Sequence, residues 1–259
     1  MRIFERLYCQ FLLLKCAFVI AWNSIIALIQ LKKVKLKRAL VNHYNHSTAV
    51  KILNIFKVKY HVHFEKPFIF QRNEHYIFMS NHQSLIDIPL IGASIKGPIR
   101  LIAKQEIFKI PFLGAVMQAS EYIFIDRDHP QQDVFYQAKE KIKSGIWLWI
   151  FPEGTRSQTG ELLPFKSGGF RLAREMGAMI IPVGIIGTKN VLPKKSFKLK
   201  LNQHVQLCIG QPIDTKEYST IAMQKDLVCR VQQAITQLIR NNDLSRLSNM
   251  RKRYEYSSS

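Results

Sequence analysis

The chain is short of acid and short of cysteine: 18 aspartates and glutamates stand against 38 lysines and arginines, with four cysteines in 259 residues. Each shortage excludes something. Cys9, Cys16, Cys208 and Cys229 make no C-x-x-C pair and two of them lie inside an apolar run, so neither a zinc module nor a disulfide framework is written here. They read as reduced packing residues facing a cytosol. A Gly-x-Ser-x-Gly elbow and a nucleophile-type cysteine motif are both missing, which argues against a covalent intermediate on serine or cysteine. The formal charge of +20 comes with no Cys/His finger spacing, no basic-region heptad and no aromatic RNA-reading string. Nucleic acid is therefore not expected as a partner, whereas an anionic membrane surface or an acidic carrier group suits the field.

What is present begins with an apolar run over 7–31, broken by Gln10, Lys15, Asn23 and Ser24, with Gln30 at its end. It is long enough to cross a bilayer as a helix. Basic residues flank it on both sides, Arg2 and Arg6 before and Lys32, Lys33, Lys35, Lys37 and Arg38 after, which removes the asymmetry that orients a span, and Lys15 falls inside. A helix lying in the membrane interface fits as well. A cleaved signal peptide fits worse, because the run is long and no A-x-A site comes after it. Leu40, Val41, Tyr44, Thr48, Ile52 and Phe56 then recur at helical spacing, giving a second helix that either faces the membrane or packs on the catalytic part of the chain.

From Lys57 onward short apolar runs alternate with longer amphipathic ones. Residues 76–79, 99–103, 122–125, 146–151, 179–186 and 205–209 read as buried strands, and 131–143, 166–176 and 217–240 as helices. This alternation predicts an α/β fold with a largely parallel sheet flanked by helices. The expected organisation is a membrane-associated helical segment over 1–56, a catalytic domain over 57–240, and a polar, basic, aperiodic tail over 241–259 that reads as disordered.

Two strings carry the chemistry. Asn81-His82-Gln83-Ser84-Leu85-Ile86-Asp87 offers an imidazole and a carboxylate five positions apart, about 140° around a regular helix, so they can meet only across a turn. Pro89 is tolerated in a first helical turn, which places the helix start near Ile86 or Asp87 and leaves His82 in the strand-to-helix turn. Asp87 could then reach back, fix one imidazole tautomer and stabilise the cation formed when the other nitrogen takes a proton. Ser84 suits a turn hydrogen bond better than a nucleophile. The second string, Phe151-Pro152-Glu153-Gly154-Thr155-Arg156, lies about seventy residues on, directly after an apolar run. Its glycine lets backbone approach an anion, and its arginine presents a planar fork to phosphate oxygens. Glu153 would repel a phosphate, so its expected task is to orient Arg156 or accept a hydrogen bond from a substrate hydroxyl.

The ordered pair resembles the lysophosphatidate acyltransferase family (1-acyl-sn-glycerol-3-phosphate acyltransferases), marked by N-H-x-x-x-x-D and F-P-E-G-T-R blocks in this order. The resemblance covers roughly residues 76–213. It implies His82 and Asp87 as the catalytic pair, with Glu153, Gly154, Thr155 and Arg156 at the acceptor's phosphate. Ile123-Phe124-Ile125-Asp126-Arg127 resembles the family's middle block, which implies Arg127 as a further phosphate residue, and Lys104 resembles another position near that anion. Ile181-Pro182-Val183-Gly184 matches the fourth block. The implied reaction moves a fatty acyl group from acyl-CoA or an acyl carrier protein thioester to the sn-2 hydroxyl of lysophosphatidate, giving phosphatidate, with no bound cofactor and no metal. Related bacterial enzymes seat themselves on the membrane by an N-terminal helical pair, which implies that both N-terminal helices form a membrane dock here; the catalytic domain is expected on the cytoplasmic face. Two alternatives stay open: transfer to another lysophospholipid or an ornithine-lipid precursor, and a non-catalytic binder of anionic lipid or nucleic acid.

Overall fold

A computed structural model describes residues 3–31, 37–71, 73–125, 132–194, 198–218 and 220–242. Among them the chain runs α1 (Ile3–Leu31), α2 (Lys37–Ile55), β1 (Lys59–Phe64), β2 (Tyr76–Ser80), α3 (Asp87–Ser94), β3 (Ile99–Lys104), α4 (Leu113–Ala119), β4 (Ile123–Ile125), α5 (Gln132–Lys143), β5 (Trp147–Ile150), α6 (Gly168–Glu175), β6 (Met179–Ile186), α7 (Thr188–Val191), β7 (His204–Ile209), β8 (Ile213–Asp214) and α8 (Met223–Asn242). All six expected strands are present. The helix expected over 217–240 starts later, at Met223, because Thr215–Glu217 closes a 3₁₀ turn capped by the Asp214 carboxylate on the Lys216 amide. The tail from 243 onward lies outside the described residues.

The sheet order is β1-β7-β6-β2-β5-β3-β4, with β8 beside β6. β6, β2, β5, β3 and β4 are mutually parallel, while β7 and β8 pair antiparallel to β6. Strand alternation sorts side chains to two faces. Tyr76, Phe78, Trp149, Ile181, Val183 and Ile185 enter one core with Leu53 of α2, Phe56 just after it, and Leu90 and Ile91 of α3. Ile77, Met79, Leu148 and Ile180 enter the other with Ile142 of α5, Phe170 of α6 and Leu227, Val231 and Ile235 of α8. Apolar residues on both faces explain why these strands read as continuous apolar runs and not as alternating ones.

Helix α2 does not stand apart with α1. One side meets α1, where Asn23 Nδ2 donates to Thr48 Oγ1 at 2.8 Å, and the other meets α3, where His46 Nδ1 donates to the Gly92 carbonyl at 3.1 Å. A Cβ on Gly92 would stand 3.0 Å from Ala49 Cβ, so the glycine permits this close crossing. A boundary drawn at residue 56 therefore cuts through a packed interface. Helix α1 buries Cys9, Leu12, Cys16, Asn23, Ala27 and Leu31 and exposes Leu7, Phe11, Leu14, Phe18, Trp22 and Ile29. At 100° per residue the exposed set falls within about 80° of the wheel, opposite the buried set.

Candidate active site

Because β2 and β5 are parallel neighbours, with Met79 opposite Ile150, both motifs leave the sheet from one edge. In open α/β sheets this carboxyl edge is where ligands bind. Helix α3 starts at Asp87, so His82 occupies the turn, as the proline position predicts. His82 Nδ1 and Asp87 Oδ2 stand 2.7 Å apart. Oδ2 also accepts the amides of Gln83 at 2.8 Å and Ser84 at 3.0 Å. Asp87 is fully buried, and its second oxygen has no partner among the described residues. A carboxylate only accepts, so the imidazole proton sits on Nδ1 and Nε2 keeps a lone pair. The turn is closed by Ser84, whose hydroxyl donates to the Leu192 carbonyl at 2.7 Å and accepts the Ile86 amide at 3.1 Å. Ahead of it, Asn81 extends the sheet through its side chain: Nδ2 donates to the Ile185 carbonyl at 2.8 Å and Oδ1 accepts the Ile185 amide at 2.7 Å.

The second motif grips the first by its backbone. Glu153 Oε1 accepts the His82 amide at 2.8 Å and Oε2 accepts the Leu163 amide at 3.0 Å. The Ser157 amide donates to the His82 carbonyl at 2.7 Å, and Gln83 Nε2 reaches the Gly160 carbonyl at 3.3 Å. Phe151 stacks on the imidazole with centroids 3.9 Å apart and planes 14° from parallel. His82 is thus fixed by its amide, its carbonyl, Nδ1 and one ring face.

Of the two tasks expected of Glu153, orienting Arg156 has no hydrogen bond behind it among the described residues. Both its oxygens serve main-chain amides, its residue is only 3% exposed, and it makes no bond to Arg156. It staples the two motif loops together. Burial pushes its carboxyl above the usual range, and its amide bonds and the charge of Lys194 pull partly back. Gly154 holds φ +69°, a left-handed conformation that favours glycine. Arg156 is half-buried with no side-chain partner among the described residues, and Thr155 is exposed. Lys104 is the last residue of β3, on the same sheet edge, and nothing is described of its side chain. Arg127 lies outside the described residues.

Residues 61–186 match the Acyltransferase family model. That stretch, 126 of the chain's 259 residues, is where the likeness to the family lies. Among similar proteins, the 1-acyl-sn-glycerol-3-phosphate acyltransferase of Saccharomyces cerevisiae is 39% identical over 125 residues, 46% of this chain and 41% of that protein. The enzyme of the same name from Escherichia coli is 33% identical over 149 residues, 55% of this chain and 58% of that one. A chloroplastic relative from Brassica napus is 34% identical over 139 residues, 53% of this chain and 40% of its own length. The match thus spans about two fifths of the chloroplast and yeast proteins. The crystal structure of the 1-acyl-sn-glycerophosphate (LPA) acyltransferase from Thermotoga maritima superposes with a TM-score of 0.74 at 26% identity, covering 91% of this chain and 95% of that one. The site also contains residues to which the sequence alone gives no role: Phe151 against the imidazole, Ser157 on the His82 carbonyl, and Lys194, which donates to Thr155 Oγ1 and the Arg156 carbonyl. A strand-end aromatic beside a histidine turn was the one signal pointing to Phe151. Lys194 had none, because only the fold brings it to the loop.

Proposed function

We propose that the protein transfers a fatty acyl group from a thioester to the sn-2 hydroxyl of lysophosphatidate, giving phosphatidate. The observation that carries this reading is the imidazole held by Asp87 at 2.7 Å with Nε2 left to take a proton, beside a glycine turn bearing an arginine whose side chain has no partner among the described residues. Nε2 removes the hydroxyl proton as that oxygen attacks the thioester carbonyl, and Asp87 stabilises the imidazolium. The tetrahedral intermediate collapses, the C–S bond breaks, and the imidazolium returns its proton to the thiolate. Arg156, with Lys104 and Arg127, serves the phosphate, and Gly154 and Thr155 shape its seat. Glu153 acts one step removed, by holding the His82 amide. The thioester is already activated, so the step needs no metal, and backbone amides suit the oxyanion.

The donor is acyl-CoA or an acyl carrier protein. The protein works on an anionic membrane surface with its catalytic domain on the cytoplasmic side. Four free cysteines support the reducing side, and the outward apolar face of α1, in the one described helix long and apolar enough to cross a membrane, supports the membrane. Its other face is packed along the domain, which favours a helix lying in the interface over a span.

Purified protein in detergent, given lysophosphatidate with acyl-CoA and acyl carrier protein in parallel, should release thiol with at least one donor. His82→Ala should lower the rate by about 10²–10⁴ fold while acceptor binding survives. No thiol release with either donor would sink the reading, and release only with another lysolipid would replace the acceptor.

A further inference from the structure

Lys194 belongs to neither motif. It comes after α7, beyond the carboxyl end of β6, and the parallel alignment of β6 with β2 brings it to the edge from which both motifs leave. Its ammonium donates to Thr155 Oγ1 at 3.1 Å and to the Arg156 carbonyl at 2.5 Å. The side chain is half-buried, and its charge is felt at Glu153. An ammonium has three N–H donors. Two are spent on the loop, which leaves one N–H and a charge that no described carboxylate pairs at ion-pair distance, beside an arginine that is equally free.

We infer that Lys194 is a specificity-determining residue that reads the second negative charge of a phosphate monoester, with Arg156 reading the first. This rests on the acyl-transfer reading. A monoester carries a charge of about −1.5 to −2 at neutral pH and three terminal oxygens. An arginine fork takes two of those oxygens, and the third needs another donor, which Lys194 offers from the backbone of the same loop. A phosphodiester lysolipid has a single charge and two non-bridging oxygens, which the fork alone satisfies. Lys194 therefore favours lysophosphatidate over diester lysolipids.

The test measures binding in the full chain, with His82→Ala as background so that turnover does not intervene. Lysophosphatidate and lysophosphatidylglycerol are titrated in the same detergent, with and without Lys194→Met, and melting temperature reports folding. Lys194→Met should weaken lysophosphatidate about tenfold or more and lysophosphatidylglycerol by less than about twofold, as expected for one charge-assisted contact. Lys194→Arg, which keeps charge and donors, should recover most of the loss, and Lys194→Gln, which removes the charge but keeps an N–H donor for the loop, replaces the methionine variant if that fails to fold. Equal weakening of both lipids, or none, would reduce Lys194 to a loop latch. Acyl-CoA and its dephospho form are titrated beside them. A loss for acyl-CoA that disappears with the dephospho donor would assign the lysine to the donor's phosphate. Thiol release by the wild-type chain is scored separately, so failure of the acyl-transfer reading is visible without reference to Lys194.

Discussion

His82 is held more completely than its string of neighbours suggests, and each hold has a separate consequence. The stack with Phe151 covers one ring face without supplying a charge or a donor. Aromatic pairs of this kind contribute about 0.5–1.5 kcal/mol beyond area. Phe151→Leu should therefore lower kcat by roughly threefold to tenfold with little change in the Michaelis constant for the acceptor; a variant with wild-type kcat would leave Phe151 as packing only. Glu153 makes a different prediction, because its folded-state pKa is raised, chiefly by burial. A raised pKa means that ionising the carboxyl costs more in the folded chain than in the unfolded one. The stability it contributes is fully present below its ordinary pKa and is lost as pH rises through the raised folded value. Glu153→Gln removes that slope, so the difference in urea midpoint between wild type and variant should narrow as pH rises over this window. The amide cannot accept from both His82 and Leu163, one N–H goes unsatisfied, and the variant should be less active at every pH. A gap that stays constant across the window would show that Glu153 is not the titrating group.

The element that places the chemistry is the β2–turn–α3 unit. Trp149 Nε1 donates to Ser80 Oγ at 2.9 Å across the β2–β5 pair, and the Asn81 side chain continues the β2–β6 pairing for one more rung. The strand end is thus fixed on both sides just before the histidine. Asn81→Ala would strand the Ile185 amide and carbonyl in a buried position. Two buried bonds and their desolvated partners set the expected loss at about 2–4 kcal/mol. It should appear as a lowered urea midpoint with unchanged slope, accompanied by a fall in kcat larger than the fall in folded fraction. Wild-type kcat per folded molecule would mean that α3 alone orients the turn. The sequence exposed this unit well, because its signals are local: apolar runs mark β2 and β5, Pro89 marks the first turn of α3, and the His82–Asp87 spacing demands a turn between them. Strand β1 was harder, since its polar edge sequence, Lys-Tyr-His-Val-His-Phe, buries little and gains its place by pairing with β7 some 140 residues on. The main-chain partners of Glu153 were hidden for a related reason. Beside an arginine in sequence, a carboxylate suggests an ion pair, whereas its real partners are main-chain amides that only the parallel β2–β5 arrangement brings within reach.

At the scale of the whole molecule, α1 and α2 differ in kind. Helix α2 is core: Val41, Ala49 and Leu53 are buried, Leu53 in one cluster with Leu90 and Ile91, and Asn42 Oδ1 receives a hydrogen bond at 2.9 Å from the fully buried Arg100. Removing residues 1–56 would uncover α3 and leave Arg100 without that acceptor, so the remainder should lose cooperative unfolding by circular dichroism; a sharp two-state transition there would restore the boundary at 56. Helix α1 has one face committed to the domain and the other, Leu7, Phe11, Leu14, Phe18 and Trp22, left exposed among the described residues. Such a helix, apolar all round, needs a second apolar environment. Burying one large apolar side chain contributes about 1.5–3 kcal/mol, so five of them on one stripe give ample affinity for a bilayer. The basic surface adds attraction to anionic lipid that salt screens. Replacing these five residues with glutamine and serine leaves Cys9, Leu12, Cys16 and Ala27 in place, so the melting temperature should hold. Co-sedimentation with anionic vesicles should be lost, and turnover of long-chain lysophosphatidate embedded in those vesicles should fall by about tenfold or more. Turnover of a short-chain, water-dispersed lysophosphatidate should stay within about twofold, because His82, Asp87 and the glycine turn are untouched. A folded variant that still sediments with vesicles as the wild-type chain does would move the membrane contact from α1 to the basic face of the catalytic domain, and its binding would then disappear in high salt where wild-type binding through an apolar stripe should persist.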